Sequence, residues 1–196
     1  MYEMKIRILS SWVTLLILNF ILLSTANAAQ PTESYQEIEW TALMPKDDLE
    51  ALMNPPEYLS GIEDGSEQDS VEALGQQEGV DENTKRFQKA LSSTRVIDTY
   101  ENKPIRIPGF IVPLESDDSQ NITEFFIVPY FGACLHMPPP PPNQIIHSKA
   151  EQGIKLGSLY DPFWFEGTLV IDTTENTLGT SAYRLKLNKA YPFEEE

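Results

Sequence analysis

Apolar and polar residues alternate most clearly near the end of the chain. Tyr183, Leu185 and Leu187 face one way there, and Arg184, Lys186 and Asn188 face the other. A period of two is the signature of a half-buried strand. After Tyr100, five runs rich in β-branched and aromatic residues occupy 104–114, 123–131, 143–150, 163–172 and 181–190, and each is expected to be a strand. Turn-forming stretches separate them: Glu115 to Ser119, the five prolines Pro138 to Pro142, Gly153 to Asp161, and Thr173 to Thr180. Five short strands with little helix predict a mainly β fold, a small barrel or sandwich. An oligonucleotide/oligosaccharide-binding-like (OB-like) barrel is the natural five-stranded candidate. Pro108 and Pro113 point to an edge or a bulge inside the first strand, and Gly109 marks where a bulge is expected.

Upstream the texture is helical. Pro45 and Asp47-Asp48 suit a helix start, Pro55-Pro56 a stop, and Leu49, Leu52 and Met53 make a short apolar face between them. A second, basic helix is expected over 84–96, with Phe87, Ala90 and Leu91 on one side. Between the two, from Glu57 to Thr84, lie nine acidic residues, four glycines and no basic residue. That composition predicts a solvated linker. It lacks the Asp-x-Asp-x-Asp-Gly ordering of a calcium loop.

The first 28 residues have the three zones of a secretory signal. Lys5 and Arg7 precede a mostly apolar stretch from Ile8 to Leu23, and small residues follow, with Ala26 and Ala28 in the small-x-small cleavage pattern. The apolar stretch is shorter and more polar than the ~20 residues of a spanning helix. The expected organisation is therefore a signal peptide (1–28), an N-terminal arm with a short helix (29–56), an acidic linker (57–83) and a β-rich domain (84–196). The mature protein is expected in the periplasm, not integral to the membrane. Cleavage removes Glu3, Lys5 and Arg7 from a chain with 30 acidic and 14 basic residues, leaving 29 and 12 and a net charge of −17. Nucleic acid and anionic membrane surfaces need a positive footprint, so both are excluded as expected partners.

The chemistry concentrates in one window. The single cysteine and both histidines, Cys134, His136 and His147, fall within fourteen residues. A lone cysteine cannot form an internal disulfide, so it is a buried thiol, a ligand, a reactive thiol or half of an intermolecular bond. Cys134 and His136, two apart on an extended segment, project to the same face roughly 6.5–7 Å apart at the backbone. If the strands on either side of the proline run pair, His147 can be a third ligand. One thiolate and two imidazoles with an open fourth position suit zinc, or copper as the lesser choice. A carboxylate such as Asp161 or Glu166, or a water, can complete the shell. Met137 adjoins His136 and so faces away from it, which argues against a blue-copper site. A thioredoxin-type site needs a second cysteine. A cysteine–histidine nucleophile, with His147 or His136 as base, is the weaker alternative, since a base two residues away on the same strand is poorly placed to orient one. No nucleophile elbow, phosphate loop or His-Glu-x-x-His helix is present, so the sequence names no reaction. The competing reading is a non-catalytic interaction module that docks through its Pro-rich loop, with Cys134 merely buried.

The run Arg106 to Glu115, followed by Phe126 to Gln144 with its Cys-x-His-x-Pro-rich-Asn-Gln segment, resembles the bacterial exported proteins grouped as domain of unknown function 3299 (DUF3299). The resemblance spans about residues 36–192. Some members of that family are encoded beside an exporter-like transport system that responds to zinc. The resemblance thus implies an accessory role in periplasmic metal handling, with an inner-membrane transporter or another envelope protein as partner. It carries that role to Cys134 and His136; His147 joins them on spacing alone.

Overall fold

The structure is a computed structural model that describes residues 34–57, 81–132 and 140–193. The expected signal peptide and most of the expected acidic linker lie outside the described residues.

Five strands close into a mixed barrel: β2 (Pro104–Ser116), β3 (Ile122–Val128), β4 (Ile146–Ile154), β5 (Phe163–Asn176) and β6 (Gly179–Pro192). Neighbours run β2-β3-β4-β6-β5, and β5 pairs back onto β2 to complete the closure. Every barrel pairing is antiparallel except β4 with β6. A two-residue strand, β1 (Gln36–Glu37), adds parallel to β2 at Ile105 and Arg106. The chain therefore takes the barrel and not the sandwich, and closure leaves few open strand edges.

Alternate residues fill the interior: Ile105, Ile107 and Ile111 from β2, Phe125 and Ile127 from β3, Phe165 and Leu169 from β5, Tyr183 and Leu185 from β6. Each large apolar side chain buried this way contributes about 1.5–3 kcal/mol. Tyr183 also carries a polar tip into the core. Its hydroxyl donates to the Leu43 carbonyl at 2.8 Å and accepts from the Ile97 amide at 2.6 Å. Burial pushes this phenol up to about 12. The hydroxyl thereby ties the segments before β2 to the barrel.

Among the described residues, two α-helices precede the barrel, α1 (Lys46–Met53) and α2 (Glu82–Leu91), and they pack on each other. Buried Asp48 of α1 accepts from Ser93 Oγ at 2.6 Å and pairs with Arg95, which also reaches Asp47 at 2.6 Å. Helix α2 starts two residues earlier than expected because Asp81 caps it, its carboxylate accepting from the Thr84 amide at 3.0 Å. That bond holds the Asp81 carboxyl below its ordinary value. The helix stops at Leu91, short of the expected Val96. On α1 the expected apolar face is corrected: Met53 is 71% exposed, and Ala51 with Asp48 supplies the buried side.

The expected bulge at Gly109 is also displaced. Register shifts in β2 fall between Pro113 and Ser116. Gly109 is the corner where β2 changes partner, pairing with β5 up to Gly109 and with β3 from Phe110 onward. A Cβ there would lie 2.8 Å from Ile127 Cγ2 and 2.9 Å from the Val128 carbonyl, so only glycine permits the approach. Beside it, Trp40 donates its indole N–H to the Pro108 carbonyl at 2.6 Å. Gln144 in turn donates to the Trp40 carbonyl at 2.9 Å.

Four of the five barrel strands are longer than expected, whereas β3 stops at Val128, short of the expected residue 131. β5 and β6 run as one hairpin through most of the stretch assigned to a turn, leaving only Thr177 and Leu178 at the tip. Its threonines are β-branched and pair well in an antiparallel ladder despite their polarity. β4 begins at Ile146 and not at Asn143, since Pro142–Gln144 forms a 3-10 turn.

Candidate metal site on the outer face of β3 and β4

The strands flanking the proline run do pair, as the ligand reading required. β3 and β4 are antiparallel, with Phe126 opposite His147 and Glu124 opposite Lys149. Phe125 and Ile127 point into the barrel, so their neighbours Phe126 and Val128 face outward. There they form a second cluster with Ile145, and Phe110, Val112 and Leu114 of β2 pack against it. His147 lies in this outer layer, yet it is only 1% exposed. Its ring meets Phe126 edge-on at 6.1 Å between centroids.

The two nitrogens of His147 have different surroundings. Nε2 lies 2.7 Å from Glu124 Oε1. Nδ1 is buried and has no hydrogen-bond partner among the described residues. Glu124 is mostly buried, and its other oxygen, Oε2, is 2.7 Å from the exposed Lys149 ammonium. A line of three side chains thus leads from solvent to a buried imidazole.

Lys149 holds the Glu124 carboxyl below its ordinary value of 4.5, the hydrogen bond from His147 adds to this, and burial opposes both. A depressed folded value means the pairing stabilises the fold fully above the ordinary value and is lost as pH falls through the folded one. Urea unfolding should therefore show the protein weakening as pH drops below about 4.5, in the range set by ordinary carboxyl groups. Glu124→Gln should lose about 1 kcal/mol at neutral pH and show a smaller acid-induced fall, since its amide cannot titrate. An equal fall in wild type and variant would contradict this assignment.

Of the three ligands expected from the sequence, His147 is in the described structure; Cys134 and His136 lie outside the described residues. Among the described residues, no group of three or more histidine, cysteine, aspartate or glutamate side chains is placed to hold a metal ion. Glu166 sits on β5 opposite Arg106 and accepts from the Tyr191 hydroxyl at 2.9 Å. Asp161 lies in the loop between β4 and β5, and the carboxylate set against His147 is Glu124. A sequence signal for Glu124 existed: it is the one charged residue in the apolar run Ile122–Val128. A charge in such a place needs a partner.

The same outer face carries an apolar pocket of about 210 Å³, lined by Phe110, Val112, Val128, Phe131, Leu159 and Leu178 among others. Tyr160 stacks on Phe131 at 4.1 Å. Along β5, Phe163 and Phe165 enter the core, whereas Trp164 lies outside beneath the Arg106 guanidinium. No helix among the described residues is long and apolar enough to cross a membrane.

Comparison with known proteins gives two matches. The family model for DUF3299, a protein family of unknown function, matches residues 40–192. The crystal structure of a DUF3299 family protein from Pseudomonas aeruginosa PAO1 is 31% identical, with a TM-score of 0.59, covering 83% of this chain and 99% of that one. Among curated proteins, none matches this sequence.

Proposed function

This chain belongs to the DUF3299 family, and from that premise we propose that it is a periplasmic accessory protein binding one transition metal ion in support of an inner-membrane transport system. Zinc is the favoured ion and copper the lesser one. Cys134, His136 and His147 would hold it, and the chain would keep the metal or pass it on without performing a reaction.

The observation that carries this reading is the state of His147: a buried imidazole with one nitrogen on a carboxylate and the other without a partner among the described residues. Metal-ligating histidines typically donate their second ring N–H to a carboxylate or carbonyl, which orients the ring and raises its basicity. An unpaired polar atom at this depth otherwise costs about 1–3 kcal/mol. Cys134 and His136 belong to the segment that joins β3 to β4, the strand of His147. β3 and β4 are also the second and third strands of the barrel, the pair whose outer face carries ligands in OB folds; that support is analogy of fold alone. Three protein donors leave a zinc coordination position open, which suits an ion that must be exchanged.

Zinc titration of the reduced mature protein against a chromophoric chelator tests the reading. One equivalent should bind, and Cys134→Ser, His136→Ala and His147→Ala should each weaken binding tenfold or more. Absence of zinc uptake by wild type would overturn it and favour the interaction module that docks through its Pro-rich loop.

A further inference from the structure

We infer that Glu124 is a positioning residue that fixes His147 as its Nε2–H tautomer, so that a borderline divalent cation at this site is bound through Nδ1. The inference rests on the metal-binding reading for its second half only. Its first half concerns the ring itself.

An ionised carboxylate can only accept hydrogen bonds. Glu124 Oε2 is engaged by the Lys149 ammonium at 2.7 Å, and Oε1 faces His147 Nε2 at the same distance. The proton in that contact therefore sits on Nε2. The opposite tautomer would set a ring lone pair against a carboxylate oxygen at 2.7 Å and bury an N–H on Nδ1 without an acceptor. A doubly protonated ring would leave the same buried N–H unpaired on a charged group, which costs more than an unpaired acceptor. With Nε2 protonated, the buried Nδ1 presents a lone pair that no described residue engages. A soft or borderline cation takes such a lone pair directly. Lys149 pins the carboxylate from the solvent side, and Glu124 acts on the ligand only through the imidazole.

Nitrogen-15 NMR of the metal-free wild-type protein reads the tautomer directly. Nε2 of His147 should appear protonated and Nδ1 unprotonated at neutral pH. On adding zinc, the Nδ1 resonance should move while the Nε2 proton persists. Glu124→Ala should lower zinc affinity by about 10–100-fold, and Glu124→Gln, which retains an acceptor oxygen, should recover most of it. A proton on Nδ1 in the metal-free protein, or a zinc-induced loss of the Nε2 proton, would overturn the inference. So would wild-type zinc affinity in Glu124→Ala. If wild type takes up no zinc, the metal reading fails by itself, and the metal-free spectrum still decides the role of Glu124.

Discussion

Gly167→Val should leave little folded protein. Gly167 lies on β5 against β6, where a Cβ would meet the Lys186 carbonyl oxygen at 2.3 Å and Leu185 Cγ at 3.0 Å. The obstacle is backbone of the longest hairpin in the barrel, so no rotamer change relieves it. The ladder already shifts register between Glu166 and Gly167, which brings the two chains to this close approach. Overpacking a core typically costs about 1–3 kcal/mol when side chains can yield. Here the cost should reach about 3 kcal/mol or more. In a domain of this size that lowers the melting temperature by roughly 6–12 °C or prevents folding. A variant melting within a degree or two of wild type would show that the strands are not packed as described.

Phe125→Ala should be nearly as damaging, through the opposite defect. Phe125 is fully buried in the barrel and lies 5.9 Å from Phe165, centroid to centroid. That contact spans the interior from β3 to β5, strands that are not neighbours in the sheet. Truncation removes the ring and leaves a cavity that the closed barrel cannot collapse around, a change worth about 3–5 kcal/mol. The urea midpoint should fall accordingly with little change in slope. A loss below 1 kcal/mol would place Phe125 outside the core.

How much of this was legible beforehand depended on whether a feature was local. β6 was readable because one of its faces is wet and alternation survives in its sequence. β3 was readable as a strand but not in its orientation. Both its faces are apolar, Phe125 and Ile127 inward and Phe126 and Val128 outward, so no period of two distinguished them. The ends of β5 and β6 were missed because Thr, Glu and Asn in an exposed hairpin resemble a turn in composition. The bulge was assigned to Gly109 on its chemistry, but that glycine answers to packing against Ile127 and Trp40, partners distant in sequence. The start of α2 turned on one cap, Asp81.

The site divides along the same line. His147 stood out because histidine is scarce here and clusters with Cys134 and His136. Glu124 did not, since its contact with His147 depends on cross-strand register, which is fixed only once β3 and β4 pair. Alternation along β5 sends Phe163 and Phe165 into the core and leaves Trp164 outside, under Arg106.

The most direct test of the central claim is metal content by mass spectrometry. The protein would be expressed with its own N-terminal segment and purified without an affinity tag, beside its Cys134→Ser, His136→Ala and His147→Ala variants. The account predicts one zinc per chain in wild type and a clear loss in each variant. Wild-type protein that carries no transition metal, or variants that retain the full equivalent, would contradict it.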